Sequence, residues 1–495
     1  PTSHPIQPES YISMNNFYTA TVYEKGAEVI RMIHTLLGEE NYRKATDLYF
    51  ESFDGQAVTT SDFLWAMSKA SGKDLTQFER WYHQNGTPKL NVKESYKDGI
   101  FELTLTQEIP KSIDGNKQEA YYYPLKIALL DDSGSEVIEK TLIISKDVEV
   151  FSFDGLSSKP TVSLNRDFSA PIIIEQKKSN FSFLMKHDSN SFVKYESAQS
   201  FAVQTLESMM DGEAINSEFI ESYGYLLDLE IDLSYKALLL ELPSTSTLMQ
   251  RQDVIDFEAI YKVKEDLSSE LATIYKDKLL DIYTVNHEVY SKSIDSIAMS
   301  KRAIKNRCLR VLSSLDCDYI RNMAKEQYEN SFTMTDRVVA LDILENRAEE
   351  LAHVAEADFY AKYKNDTLVM NKYFSILSAS EREGTLERVI ELQNDEVYDE
   401  KVPNLVRSLI GVFARNYKHF HAKDGLGYKF VADKIIEIDK INAQMASGLS
   451  GAFKVYKKMN KINKSKMKSE LERVISTESV SKNVYEIITK ILKSD

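Results

Sequence analysis

Apolar residues recur at two different periods along this chain, and the changes of period divide it into three stretches. In the first, residues 1–88, Val22, Ala27, Ile30, Ile33 and Leu37 fall at roughly helical spacing, so that face belongs in a core. Thr21-x-x-Glu24 reads as a capping box, the hydroxyl bonding a free backbone N–H and the glutamate reaching back to the cap, which starts the helix there. Ser61 is placed to cap a second helix carrying Phe63, Leu64, Met67 and Ala70. Asp74-x-x-Gln77 boxes a third carrying Leu75, Phe78, Trp81 and Tyr82, before Gly86 and Pro88 close the stretch.

Over residues 89–178 the alternation is every second residue. Leu90/Val92, Phe101/Leu103/Leu105, Leu125/Ile127/Leu129 and Val148/Val150/Phe151 sit in short runs broken by Asp98-Gly99, Asp114-Gly115 and Asp132-Ser133-Gly134. Short strands with this punctuation predict a small β-sandwich, and no cluster of titratable groups marks it as a site. Its expected role is a spacer that orients the helical part. Residues 179–495 return to helical spacing: Phe201, Leu206 and Met210, then Leu226, Leu229 and Ile231, then Val254, Phe257, Tyr261 and Val263. Without a fixed sequence period, these predict irregular helix pairs in a superhelical, α-solenoid-like domain. The fold class expected is mostly α with a small β-sandwich.

Composition narrows the function classes. An apolar fraction of 43% with 28% charged residues over 495 residues supports several packed cores. The longest apolar runs, Ile172-Ile173-Ile174 and Ala237-Leu238-Leu239-Leu240, fall far short of a membrane span. Lysine and arginine at 61 against aspartate and glutamate at 76 give a net charge of −15, which argues against nucleic acid or an anionic membrane as a general partner. The basic run Lys454–Lys468 shows no aromatic interleaving on a basic face and reads as a solvated helix surface. Cys308 and Cys317 have no second pair, so they read as reduced thiols of a cytoplasmic protein. The opening Pro1-Thr2-Ser3-His4-Pro5-Ile6 has neither the basic nor the apolar region of a signal peptide and reads as the middle of a domain.

Chemistry concentrates near the start. Tyr23 lies in the first turn of its helix, at the electropositive end, where a phenol can donate to a developing oxyanion. A half-buried ring with its hydroxyl on water fits the same spacing, and Tyr23 is one of 28 tyrosines. The run Asn15-Asn16-Phe17-Tyr18 … Val22-Tyr23-Glu24-Lys25-Gly26-Ala27-Glu28-Val29-Ile30-Arg31-Met32 resembles the stretch that follows the zinc site in the bacterial aminopeptidase N family, the alanyl aminopeptidases of the gluzincin class. The resemblance continues in order through His34–Asn41, Tyr49-Phe50-Glu51, Arg80-Trp81-Tyr82, Gly86-Thr87-Pro88, Phe183–His187, Asn371–Phe374, Arg407–Gly411 and Phe420–Tyr428, which is nearly the whole chain.

That resemblance implies roles. Tyr23 corresponds to the tyrosine that stabilises the tetrahedral intermediate of peptide hydrolysis, and Tyr18 to one that lines the pocket for the first residue of the peptide. Tyr18 as a core aromatic packing the helix entry is the alternative. Arg407 and Gln444 stand where the family contacts substrate beyond the scissile bond, although a lone helix arginine is commonly a surface ion pair. At Gly448 the better-known members carry another arginine. By the same resemblance, residues 1–88 are the helical end of a thermolysin-like catalytic domain, 89–178 a β-sandwich domain and 179–495 the helical C-terminal domain.

One motif is missing. Gluzincins hold zinc with His-Glu-x-x-His on one helix and a further glutamate downstream. Only His287-Glu288-Val289-Tyr290-Ser291 begins that way here, without the second histidine, and it reads as a solvated helix face. The Gly-Ala-Met-Glu-Asn segment that anchors the substrate's amino terminus is also absent. The expectation is the C-terminal portion of a zinc-dependent aminopeptidase of broad specificity for small apolar and basic residues. Its partners are then peptide substrates and the missing N-terminal portion, and this chain alone is inactive, with no metal ligand of its own. The competing class is a non-catalytic scaffold of sandwich and solenoid for protein or peptide binding.

Overall fold

The computed structural model describes residues 4–8, 10, 14–112, 114–176, 180–288 and 292–493. Pro1, Thr2 and Ser3, the expected boundary at 178/179, and Val289, Tyr290 and Ser291 lie outside them. The chain forms two units, residues 1–200 and 201–495, with the division inside the helix Ser191–Met210.

Among the described residues of the first unit four α-helices precede the strands: α1 (Gly26–Leu37), α2 (Glu39–Phe53), α3 (Thr60–Ser71) and the single turn α4 (Arg80–His83). α1 is led by a π-helical turn, Thr21–Lys25. The predicted Thr21 box does not form. Thr21 is buried inside the helix, and the oxygen that accepts an early N–H, that of Val22 at 3.3 Å, belongs to Thr19. The buried stripe is Thr21, Lys25, Val29, Met32, Ile33 and Leu36, so Ala27 is exposed and Val22 only partly covered. α3 begins two residues earlier than Ser61 suggests. Thr59 is its cap, and its N–H donates to the Asp62 carboxylate at 2.7 Å, while Ser61 instead reaches Glu79. Asp74 accepts from Thr76 in a tight turn, and Gln77 donates to the carbonyls of Ala120 and Ser145 instead of closing a box.

Seven strands follow among the described residues: β1 (Lys89–Lys97), β2 (Ile100–Glu108), β3 (Tyr123–Leu130), β4 (Glu136–Ile144), β5 (Val148–Phe153), β6 (Thr161–Leu164) and β7 (Ile173–Gln176). One sheet has the order β5-β2-β1-β7, with β7 parallel to β1; the other is β4-β3-β6. Asp98 and Gly99 both take positive φ, 52° and 77°, the turn that matches strand twist in a two-residue hairpin. β3 is buried along both faces, so the sandwich and the opening helices share one core that includes Trp81, Phe101, Leu103, Tyr121, Tyr123 and Ile127. On β5 the valines are outside: Leu103 pairs with Phe151 and Phe101 with Phe153, which turns Val148 and Val150 to the exposed face. The sandwich also holds a charged cluster that the strand pattern hides. Arg166, buried, reaches Glu136 at 2.5 Å, Glu139 at 3.0 Å and Asp188 at 3.4 Å.

The second unit is helical among its described residues. Successive helices pack on one another, 276–286 on 296–312, 318–330 on 334–347 and 426–439 on 443–450. The stripe of Phe257–Ile274 is Ile260, Val263, Leu267 and Leu271; Val254 precedes that helix and is exposed. Leu229 and Ile231 likewise lie beyond the end of Ser217–Asp228. His287 is not on a helix face. It follows Lys276–Asn286, stacks on Tyr283 at 5.1 Å and lies 3.1 Å from the Lys305 amine. Cys308 and Cys317 are free, Cys308 fully buried with its thiol pushed up to about 12 by desolvation. No helix among the described residues is long and apolar enough to cross a membrane.

Candidate functional site

The segment before α1 is folded by short-range bonds. Thr19 donates its N–H to the Phe17 carbonyl at 2.8 Å, accepts at its own carbonyl from Tyr23 N–H at 3.1 Å, and its hydroxyl meets His4 Nε2 at 2.9 Å. The chain then widens: Gly26 N–H reaches back to the Thr21 carbonyl, five residues earlier. Such π-turns occur disproportionately at functional sites, because the extra residue per turn must be held in place by its surroundings.

The turn sorts its side chains into two sets. Thr21 and Lys25 face inward, and Tyr23 and Glu24 face outward. Tyr23 is 57% exposed and Tyr18 is 55% exposed, their rings 6.1 Å apart and tilted by 36°, with Phe17 edge-on to Tyr18 at 6.2 Å. Tyr18 therefore packs against Tyr23 on the surface and is not a core aromatic. Both hydroxyls are available to an approaching polar group.

Pattern alone does not single out Lys25, yet it is the charged residue most buried at this turn. It is only 6% exposed, its ammonium donates to the Gly86 carbonyl at 2.8 Å and lies 5.4 Å from the centre of the Trp81 ring. Burial pushes its pKa down to about 8. The signal for it is the phase of the stripe: once Val29, Met32 and Leu36 face the core, position 25 must too. Arg31, two turns further along the same helix, donates to the carbonyls of Asp167 at 2.6 Å and Phe168 at 2.5 Å.

In the second unit Arg407 begins a second π-turn, Arg407–Gly411, and Gln444 lies in the helix Ala443–Ser450. Both are exposed, and Arg407 donates to Asn404 at 2.9 Å. A Cβ built on Gly411 comes within 3.9 Å of Leu449, so the two elements touch. A Cβ on Gly448 meets nothing within 4 Å. The π-turns found among the described residues thus carry Tyr23 and Arg407. A cavity of about 1160 Å³ in this unit is lined by Phe257, Tyr261, Lys264, Arg347, Tyr417 and His421 but by neither Arg407 nor Gln444. Several of its charges are paired, Lys423 with Glu258 at 2.6 Å and Arg347 with Glu265 at 2.8 Å.

Among the described residues no three His, Cys, Asp or Glu side chains are grouped to hold a metal ion, so the zinc that the resemblance implies finds no ligand set in them.

Comparison with known proteins is consistent along the chain. Residues 1–82 match the model described as the peptidase family M1 domain, residues 86–177 a domain of unknown function with an Ig-like fold, and residues 178–493 a domain of unknown function with ARM repeats. Aminopeptidase N of Haemophilus influenzae is 35% identical over 514 residues, covering 100% of this chain and 59% of that protein. Aminopeptidase N of Escherichia coli is 35% identical over 512 residues, covering 99% and 59%. A crystal structure of Legionella pneumophila aminopeptidase A in complex with aspartic acid superimposes with a TM-score of 0.92 at 29% identity, again over 100% of this chain and 59% of that one. The chain thus spans about three fifths of the length of the relatives it matches. By the match over residues 178–493, more than half of its length, it belongs to the family described as a domain of unknown function with ARM repeats, and along its whole length it is similar to aminopeptidase N.

Proposed function

We propose that this chain is the C-terminal portion of a zinc-dependent aminopeptidase that releases amino-terminal residues from peptides in the cytoplasm, with preference for small apolar and basic side chains. In this reading residues 1–88 close the catalytic domain, 89–178 form the sandwich and 179–495 the helical domain. The zinc ligands and the general base belong to the missing N-terminal portion.

What this chain contributes is a hydrogen-bond donor. When water adds to the scissile carbonyl, negative charge collects on its oxygen, and a phenol already aimed at that position stabilises the transition state more than the ground state. The observation that carries the reading is the outward placement of Tyr23 on a π-turn whose inward residues are buried. Tyr18, beside it, would border the pocket for the first residue. Arg407 and Gln444 would contact the peptide beyond the scissile bond; the planar fork of an arginine suits a peptide carbonyl or carboxylate.

Replacing Tyr23 by phenylalanine in the complete enzyme tests this. Loss of one such donor lowers kcat by about a hundred- to a thousand-fold with KM for an alanyl anilide little changed. An unaltered kcat removes Tyr23 from the mechanism. The 495-residue chain alone, with zinc added, should leave the anilide intact.

A further inference from the structure

We infer that Lys25 is a positioning residue for Tyr23: the bond from its ammonium to the Gly86 carbonyl, across the face of Trp81, fixes the π-turn and with it the direction of the phenol. The inference rests on the proposed role of Tyr23 as the oxyanion donor.

Position 25 is where an apolar side chain would be expected. Thr21, Val29, Met32 and Leu36 share its face, and a methionine there would fill the same space with no charge to desolvate. Among the described residues no carboxylate pairs with Lys25 in compensation; burial lowers its pKa. What it receives is one backbone acceptor and one aromatic face, an arrangement that favours a fixed geometry more than it favours stability.

Both partners are held from behind. Gly86 takes φ +81°, and a Cβ there would come within 2.7 Å of Pro110, so the loop packs directly on that ring. Its neighbour Asn85 is gripped twice by Gln118: Asn85 N–H donates to the Gln118 amide oxygen at 3.0 Å and the Asn85 carbonyl accepts from Gln118 at 3.0 Å. Gln118 also donates to the Pro110 carbonyl at 2.6 Å. Trp81 is fully buried, donates its indole N–H to the Tyr122 carbonyl at 2.9 Å and packs on Tyr121 at 4.4 Å. The sandwich therefore fixes the acceptor and the ring, Lys25 reaches them from the turn, and Tyr23 projects from the opposite side of that turn. A displacement of about 1 Å in a reacting group can cost about a hundred-fold in rate, so a tether of this kind bears on kcat.

The test is a double-mutant cycle in the complete enzyme with an alanyl anilide as substrate. Lys25→Met should lower kcat roughly ten- to a hundred-fold, with KM and melting temperature little changed. In the Tyr23→Phe background the same substitution should lower kcat no further, because the phenol it positions is gone. If Lys25→Met does not fold, Lys25→Gln is read in the same cycle with the same expectation. Equal losses in both backgrounds, or no loss in either, overturn the inference while Tyr23 keeps its role. An unchanged kcat for Tyr23→Phe alone overturns the reading and the inference together.

Discussion

Glu345→Gln should leave this protein unchanged near pH 4 and stabilise it progressively as the pH rises above that. Glu345 and Glu356 sit side by side under two arginines, Glu345 wholly buried and Glu356 at 6% exposure. Arg388 bridges them, one nitrogen 2.7 Å from Glu345 Oε1 and the other on Glu356 Oε2, while Arg382 lies 3.4 Å from Glu345 Oε1 and 3.8 Å from Glu356 Oε1. Around them are Glu349, 2.5 Å from Arg382, His353, 3.9 Å from Glu356, and the Tyr373 phenol. Glu345 Oε2 and Glu356 Oε1 remain buried with no hydrogen bond among the described residues. A proton on Glu345 supplies one to both, and burial together with the adjacent Glu356 carboxylate holds the Glu345 pKa well above the ordinary carboxylate range. With the folded pKa raised, the folded state keeps a proton that the unfolded state has released. Stability is therefore full at low pH and falls as pH rises toward the folded value. Glutamine copies the protonated acid: its oxygen still accepts from Arg388 and its amide donates to Glu356. Near pH 4, below the ordinary carboxylate value, the two should agree within about half a kcal/mol. Above it the variant's advantage should grow by about 1.4 kcal/mol per pH unit until the pH passes the folded value, and stay level from there to about pH 9. Urea unfolding followed by circular dichroism across this range reads the difference. A pH-independent gap would refute the shared proton.

Two further outcomes are expected. His421, 5% exposed, stacks on Phe257 at 4.3 Å and bonds Tyr428 at 2.9 Å, and burial pushes its pKa down to about 3. Its folded pKa is depressed, so its contribution is present above the unfolded value and is lost as pH falls toward 3, by up to about 5 kcal/mol. His421→Gln should remove that slope, and a wild-type-minus-variant difference that stays flat below about pH 6.5 would sink the argument. Gly448→Ala should raise stability by about 0.5–1 kcal/mol, since the helix gains and the added methyl meets open space. A lower urea midpoint would count against it.

Much of the fold is legible in the sequence because periodicity survives every local error. The helical face after Thr21, the break at Asp98-Gly99 and the inward row Phe101, Leu103, Leu105 are visible in the pattern of residues. Phase and caps are not legible. Lysine counts as polar in any pattern, yet Lys25 belongs to the buried stripe, so spacing places the face of α1 one step round from where it lies. Valines at 148 and 150 alternate as inward residues would, and only the pairing of Phe151 with Leu103 decides which row faces the core. Tyr18, Tyr23, Arg407 and Gln444 are indicated by resemblance, which carries no information on exposure. Glu345, Glu356 and Arg388 come from three separate helices and Arg382 from the turn before the last of them, and no sequence spacing brings them together.

The helix that carries Tyr23 is tied to the loops around it by cations that reach backbone carbonyls, Arg31 pairing with Glu28 at 2.7 Å as well. Lys25 holds Gly86 at the entry to the sandwich, and Arg31 holds Asp167 and Phe168 on a loop between β6 and β7. That loop is itself costly: Asn165, Asp167 and Phe168 take φ of 55°, 57° and 51°, each a conformation that side chains with a Cβ avoid. Strain of this kind costs about 1–3 kcal/mol per residue and persists only where the surroundings over-determine it. Here the Asn165 amide does so, donating to the Ala170 carbonyl at 3.0 Å and accepting from the Ser169 hydroxyl and the Ala170 N–H, each at 3.0 Å. A carboxylate partner could rotate away or take up a proton; a carbonyl locked in a strained loop or beside Pro110 can do neither. The sandwich spends stability on two fixed acceptors, and the helix that carries the phenol is oriented by both.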